Sequence, residues 1–312
     1  MTMHRRISMP GKYLAVLLLI FFGFSKSAIA QDLEPRRWSH LPTGLNILGA
    51  GYMYTNADIY FSSFWKIENG DTRMNNLALT AVHTFDMAGK TARISVLLPY
   101  VSGRWTGDVD GDFRVVRCRG MGDPRLRLSV NLYGAPALKG AEYAQYRAAN
   151  QNNTVVGASL AITLPLGQYI EDRLINIGGN RWSLRPQMGV VHTRGPWSFE
   201  LTGSAILFSD NNDFVDGAVF KQKPLFTAQS HVIYSFDRGY WASLSTGYGI
   251  GGQVSIDQAK TSFEVSNLLW AASIGLPVSK SQSIKLVWLS GRTQNDVGSD
   301  SNNLLVSWST RW

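Results

Sequence analysis

Basic side chains recur at alternate positions in several short stretches of the sequence. Arg125 and Arg127 alternate with leucines in DPRLRLSVNL, and Arg181 and Arg185 share one face of RWSLRPQMGV. Period-2 alternation predicts strands with one polar and one apolar face. Rings of Arg and Lys select for anions where they line a pore. The polar-face candidates for such a lining are Arg93, Arg125, Arg127, Arg181, Arg185, Glu200, His231 and Lys285.

A second interpretation of these residues is purely structural. Charged groups inside a membrane protein mark solute pathways, but they also form structural pairs. In that case Arg125 and Arg127 would pair with Glu200 and other acids in a packed interior. The sequence leaves both interpretations open.

Catalytic chemistry has little support in the sequence. Beyond the first 30 residues the histidines are His40, His83, His192 and His231, and none belongs to a GxSxG or HExxH motif. We therefore predict that the protein is not an enzyme and needs no cofactor. A hydrolase site assembled from separate strands is the less favoured alternative.

Metal binding has little support: a solvated loop at 107–112 is the favoured interpretation, and a weak calcium or lipopolysaccharide-bridging site is the alternative. Asp108, Asp110 and Asp112 in GDVDGD place carboxylates at alternate positions, as a calcium loop does. The glycine is misplaced for such a loop, and Arg119 stands where its final glutamate belongs. The single cysteine, Cys118, rules out an internal disulfide framework and a cysteine-based metal site.

The first 30 residues have the pattern of a secretory signal peptide. Three basic residues precede the apolar run YLAVLLLIFFGF, and the small-residue sequence AIA follows it. We predict a signal peptide at 1–30, a periplasmic N-terminal segment at 31–42 and a membrane domain at 43–312. Lys and Arg are scattered without a basic run, so nucleic acid is not a predicted partner.

The composition of the remaining chain predicts a transmembrane β-barrel. The sequence is 45% hydrophobic and only 17% charged, yet it has no run of 18 apolar residues beyond the signal. Only helices and closed barrels satisfy the backbone of a chain that crosses lipid. We therefore predict an all-β, antiparallel up-and-down barrel in the outer membrane, in contact with lipid and lipopolysaccharide.

Twelve segments show the expected alternation or a close approach to it. Mostly short connections follow the even-numbered segments and long polar ones follow the odd-numbered segments, as in outer-membrane barrels with tight periplasmic turns. The long connection 134–153 after the fourth segment is the exception. The predicted strands lie near 43–56, 75–87, 91–101, 123–133, 154–166, 180–193, 196–208, 224–236, 239–250, 262–276, 282–291 and 303–312.

Two features of the predicted barrel lie at its periplasmic end. The connection 134–153 contains KGAEYAQYRAA, rich in helix formers, which predicts a short helix at 137–149; an ordered loop is the alternative. The final strand, ending in Trp308 and Trp312, must pair with the first strand to close the barrel. This ending resembles the C-terminal signal recognised by the barrel-assembly machinery.

Several stretches resemble the family of outer-membrane proteins labelled as the phenol meta-pathway degradation family. They include GMGDPRLRLSVNLYGAPAL, LINIGGNRWSLRPQMG and LWAASIGLPVSKSQSIKL, and the match covers most of the chain beyond the signal. The resemblance implies a porin-like uptake role.

The sequence therefore predicts an outer-membrane channel for passive passage of small molecules, aromatic or other small acids among them. The alternative is a closed barrel that acts through its extracellular loops as a binding or structural protein.

Overall fold

The computed structural model of the protein describes residues 33–60, 67–171, 173, 175–257, 259–260 and 264–312. The predicted signal peptide at 1–30 lies outside these residues.

Most of the described chain is β-strand, and the described part contains one α-helix. The helix, α1, spans Gly140–Ala149. The strands are β1 (Asn46–Tyr60), β2 (Ile67–Met87), β3 (Lys90–Val109), β4 (Asp112–Met121), β5 (Arg125–Tyr133), β6 (Asn153–Thr163), β7 (Ser183–Arg194), β8 (Trp197–Phe208), β9 (Asn211–Phe214), β10 (Ala218–Gln222), β11 (Leu225–Ser235), β12 (Trp241–Gly251), β13 (Val254–Ile256), β14 (Ala259–Lys260), β15 (Val265–Pro277), β16 (Gln282–Thr293) and β17 (Gly298–Arg311).

Antiparallel pairing of neighbouring strands closes the main sheet into a barrel. β1 pairs with β2 on one side and with β17 on the other. The closure extends to the ends of both strands, where the backbones of Asn46 and Trp312 exchange hydrogen bonds of 2.9 and 3.1 Å. Across the described residues the ring has twelve positions, because β4 and β5 together fill one of them. The prediction of a twelve-stranded antiparallel barrel is confirmed.

One predicted loop is strand in the structure. The sequence assigns 102–121 to a connection, but β3 continues to Val109 and turns back at once into β4. Asp110 and Gly111 form this turn with φ values of 52° and 83°, which suits a two-residue hairpin loop. In the second half of β3 and in β4, polar residues interrupt the alternation of polar and apolar side chains. The alternation in the sequence therefore ends earlier than the hydrogen-bonded pairing of the two strands.

Side chains alternate between the two faces of the wall as predicted. In β11, Thr227, Gln229 and His231 are buried, whereas Phe226 and Val232 are exposed. A soluble protein would not expose one large apolar residue at every second position of adjacent strands. This face suits contact with lipid, and the buried polar residues point into the barrel.

The two ends of the barrel differ. We call the end that carries Asn46 and Trp312 the lower end and the opposite end the upper end. Tight turns lie at the lower end, as in β2–β3, where Ala88 and Gly89 have φ values of 52° and 75°. At the upper end β9, β10, β13 and β14 form a separate small sheet. An apolar cluster that includes Trp105, Phe214 and Phe220 fills the interior there.

The predicted helix is confirmed and lies at the lower end. It spans 140–149, within the predicted 137–149. The hydroxyl of Tyr143 donates to the backbone oxygen of His40 at 2.9 Å, and the rings of Tyr143 and Tyr146 contact the His40 ring edge-on. The helix is therefore attached to the chain that precedes β1.

Residues 33–45 enter the barrel, and we call them the plug segment. The sequence predicts 31–42 as a periplasmic segment, whereas its described part packs among inward-facing side chains. Glu34 contacts both β5 and β11, and Trp38 contacts β8. Because β6, β7 and β8 separate β5 from β11 in the wall, the segment must cross the lumen.

Candidate functional site

The candidate site is the barrel interior around the plug segment. Its most polar part is an ion-pair cluster centred on Glu34. The Glu34 carboxylate accepts hydrogen bonds from Arg127 at 2.8 and 3.0 Å and from Arg37 at 2.6 Å. Arg37 also donates to the hydroxyl of Ser129 at 3.1 Å. The cluster therefore ties the plug segment to the inward face of β5.

Glu34 remains ionised in this cluster. Burial acts to raise the pKa of its carboxyl, but the charges of Arg127 and Arg37 outweigh burial and hold that pKa well below its usual value. Arg125 and Arg185 act in the same direction. At this point in the lumen the ionised form of the carboxyl group is thus strongly favoured over the protonated form.

Glu200 contacts the plug segment. Its carboxylate accepts a hydrogen bond from the backbone N–H of Trp38 at 3.3 Å and is 2% exposed. His231 lies directly opposite Glu200 on the neighbouring strand and contacts the hydroxyl of Ser245 at 2.8 Å. Arg127, for which the sequence left open a structural pair with Glu200 or another acid, forms an ion pair with Glu34.

Trp38 is the anchor of the plug segment. Its side chain is 0% exposed, and the indole N–H donates to the hydroxyl of Thr202 at 2.7 Å. Gly157 and Gly189 face the indole from β6 and β7, and a Cβ atom at either position would overlap the ring. The wall therefore has a cavity shaped for this tryptophan.

Above the cluster lies a cavity of about 180 Å³, the upper cavity. It combines cationic and apolar side chains from β3, β5, β7, β8 and the connection after β6. Its lining includes Leu97, Pro99, Val101, Arg125, Ile177, Arg181, Arg185, Ile206 and Phe208.

The arginines of the upper cavity are held in place by neighbours. The guanidinium of Arg181 lies over the rings of Phe208 and Phe220, at 4.4 and 4.8 Å from their centroids. Arg185 donates to the hydroxyl of Ser204 at 3.1 Å. Asp123, the acid in this lining, accepts backbone hydrogen bonds from Gly167 and Gly179. Fixed guanidinium groups beside apolar walls can bind the carboxylate and the body of an amphipathic anion.

A larger cavity of about 530 Å³, the lower cavity, opens below Trp38. Arg36, Arg147 and Arg311 line it, together with His40 and Tyr143. Its described lining contains no carboxylate. The remaining lining mixes apolar residues such as Leu41 and Ile233 with polar ones such as Ser39 and Asn153, so these arginines have more polar surroundings than those of the upper cavity.

The remaining predicted residues occupy other positions. Arg93 faces inward on β3, opposite Ser129. Lys285 faces inward on β16, outside the described linings of both cavities. Among the described residues, no three His, Cys, Asp or Glu side chains gather as metal ligands. Asp108 instead accepts a hydrogen bond from Asn69, and Asp112 pairs with Arg114.

The sequence interpretation missed the plug segment, and with it Glu34, Arg37 and Trp38. The stretch LEPRRWSH has no alternation, so a search for strands passes over it. Its signal was composition: a tryptophan, an acid and two arginines in a short segment directly before the first strand. A large apolar side chain is stabilised by burial, and in this structure Trp38 is buried inside the barrel against Ala135, Val155 and Val191.

A closed barrel with an apolar outer face and a polar interior defines an outer-membrane β-barrel protein, embedded in the lipid of the outer membrane. No helix in the described part of the chain is long and apolar enough to cross a membrane. The family model described as "Putative MetA-pathway of phenol degradation" matches residues 59–299, and the chain belongs to this family.

Solved structures share the fold. An outer membrane channel from Pseudomonas putida F1 is 22% identical with a TM-score of 0.76, over 90% of this chain and 100% of that one. The transport unit of the Escherichia coli autotransporter AIDA-I is 9% identical with a TM-score of 0.52, over 96% of this chain and 97% of that one. No curated protein matches the chain.

In outer-membrane barrels the short turns lie mostly at the periplasmic end, so we expect the lower end to face the periplasm.

Proposed function

We propose that the protein is a passive channel for small carboxylic acids, aromatic acids among them. The observation that carries the proposal is the upper cavity, where Arg125, Arg181 and Arg185 adjoin apolar walls. Guanidinium groups select for anions in a pore and bind carboxylates in bidentate geometry. The apolar side chains provide contact for the rest of the solute.

The size of the upper cavity supports a single-ring solute. Its volume is about 180 Å³. An apolar cavity of roughly 150 Å³ is enough to bind benzene. The description of the family, which names phenol degradation, agrees with an aromatic solute. Benzoate is therefore a suitable probe.

Planar-bilayer recording of the purified protein tests the proposal. In a KCl gradient the reversal potential should show a preference for chloride, and benzoate should carry current when it replaces chloride. Charge reversal in Arg125→Glu/Arg185→Glu should shift selectivity toward cations. Arg194→Glu, at an exposed position in the lower turn, is the matched control and should leave the selectivity unchanged.

Two results would contradict the channel or its lining. Cation preference in the wild-type protein would remove the arginines from the selectivity site. A silent bilayer, with folding confirmed by heat-modifiable gel migration, would favour a second candidate. That candidate is a closed barrel acting through its extracellular loops, and it is supported by the plug segment in the lumen and by the small sheet at the upper end.

Recognition of Trp308 and Trp312 by the barrel-assembly machinery and contact with lipopolysaccharide remain predictions. The exposure of Trp312, 68%, and its place at the lower end agree with a recognition signal. A non-enzymatic role also remains a prediction, and hydrolysis of lipid or ester substrates by the folded protein would contradict it.

A further inference from the structure

The Glu34 carboxylate occupies a site with the chemistry that the proposed solute requires. Arg127 contacts both of its oxygens, at 3.0 and 2.8 Å, and Arg37 adds a third contact at 2.6 Å. The Arg127 side chain is 7% exposed, and that of Arg37 is 12% exposed. A carboxylate held by largely buried guanidinium groups is the interaction that a passing acid would make.

This site lies next to the upper cavity. Arg125 lines the cavity and Arg127 holds Glu34, and the two arginines lie on the same face of β5. Residues two apart in a strand are separated by roughly 6.6 Å. A carboxylate bound at Arg125 is therefore within one short step of Arg127.

The plug segment is attached in two different ways. Trp38 is held mainly by close packing: its buried indole faces Gly157 and Gly189 and donates one hydrogen bond to Thr202. Glu34 is held mainly by ion pairs. Its backbone N–H also donates to the side-chain oxygen of Gln229 at 3.4 Å, near the upper limit for a hydrogen bond. The Glu34 side chain is 27% exposed. A solute can thus compete for the charged end, but not for the indole end.

We propose that Arg37 and Arg127 form a second carboxylate-binding site, which Glu34 occupies as an internal ligand until a solute carboxylate displaces it. Residues 33–35 then leave the lumen wall while Arg37 and Trp38 stay in place, and the solute passes. This inference rests on the proposed function, because it gives the acid a second binding site on its path.

The exchange is favourable in electrostatic terms. Breaking a buried ion pair without replacement leaves an uncompensated charge, which is strongly destabilising. When one carboxylate replaces another, the guanidinium groups stay paired throughout, and the released Glu34 can enter water. A neutral molecule of the same shape offers no such replacement. The segment should therefore respond to acids and ignore their neutral analogues.

Chemical labelling of a cysteine at position 33 tests the displacement. The half-buried Leu33 side chain lies 2.7 Å from the position of a Cβ on Gly247, so the wall partly covers a thiol there while the segment is docked. Cys118→Ser removes the native thiol and keeps a hydrogen-bond donor to Ile175. The rate of reaction of Cys118→Ser/Leu33→Cys with neutral N-ethylmaleimide is then measured in detergent micelles, with and without benzoate.

Benzoate should accelerate labelling about tenfold, which corresponds to about 1.4 kcal/mol of shifted equilibrium. Benzyl alcohol, the neutral analogue, should have no effect. With Glu34→Gln added, labelling should be fast without benzoate and insensitive to it. Glu142→Gln on the exposed face of α1 is the matched control and should behave like the parent.

Unchanged labelling overturns the inference, whatever the result of the bilayer experiment. If benzoate carries current but leaves labelling unchanged, the second site fails and the proposed channel stands. If benzoate neither carries current nor changes labelling, both proposals fail. Equal acceleration by benzoate and benzyl alcohol would also overturn the inference, because the carboxylate would then have no role.

Discussion

The upper and lower cavities each have three arginines in their lining but differ in what surrounds them. In the upper cavity Arg181 lies on two aromatic rings, and leucine, valine and isoleucine side chains complete the wall. In the lower cavity Arg36, Arg147 and Arg311 border about 530 Å³, and polar residues such as Ser39, Asn153 and Thr193 share the wall with apolar ones. Coulomb interactions are strong beside low-dielectric walls and weak in water. The same residue type can therefore select solutes above Trp38 and only attract them below it.

Removal of the plug's anchor should have the largest effect. Trp38→Ala should release the plug segment from the wall, so single-channel conductance should rise above that of the wild type. Stability should fall by about 3–5 kcal/mol, the usual cost of truncating a buried aromatic residue. Denaturant unfolding and bilayer recording measure the two effects. Trp182→Ala, which removes an exposed indole from the wall, should not increase conductance.

Neutralising one arginine in each cavity sharpens the comparison. Arg185→Met should reduce the permeability ratio of chloride to potassium by a factor on the order of three to ten, the effect of about 1 kcal/mol. Arg311→Met should leave this ratio nearly unchanged, because water surrounds that guanidinium. Reversal potentials in KCl gradients measure both. Equal effects would mean that the two cavities are not functionally different.

The pH dependence of Glu34 gives a smaller effect. Its pKa in the folded protein lies below the unfolded value of about 4.3. The ion pair therefore stabilises the docked segment fully above that pH, and this contribution is lost as the pH falls through the folded pKa. Conductance of the wild type should rise only at pH below about 4. Glu34→Gln should lack this rise, which bilayer recording over a pH series would measure.

Loss of a single hydrogen bond at the anchor should have the smallest effect. Thr202→Val removes the acceptor of the Trp38 indole N–H and keeps the shape of the side chain. The expected loss of stability is about 1 kcal/mol, with little change in conductance. An increase in conductance as large as that of Trp38→Ala would mean that the hydrogen bond, and not the shape of the site, anchors the segment.

The wall could be predicted from the sequence, but the plug could not. Alternation in β5, β7, β8 and β11 follows from one lipid-facing and one polar face, a constraint that repeats along each strand. The position of Trp38 depends on a partner 164 residues away, Thr202, and on two glycines in different strands. No local pattern encodes such contacts. For the upper cavity, the sequence pattern points to the arginines, because they lie in segments with alternating polar and apolar residues. It does not point to Ile177, because the connection that carries Ile177 has no regular pattern.

The contact between Trp38 and the two glycines also has a consequence for descent. Any side chain at 157 or 189 would overlap the indole, so neither position can change first while the tryptophan remains. Conversely, loss of the tryptophan would remove this overlap, and larger residues could then replace Gly157 and Gly189. Among descendants of a common ancestor, these three positions should be inherited together or lost together, and their joint pattern would date the origin of the plug.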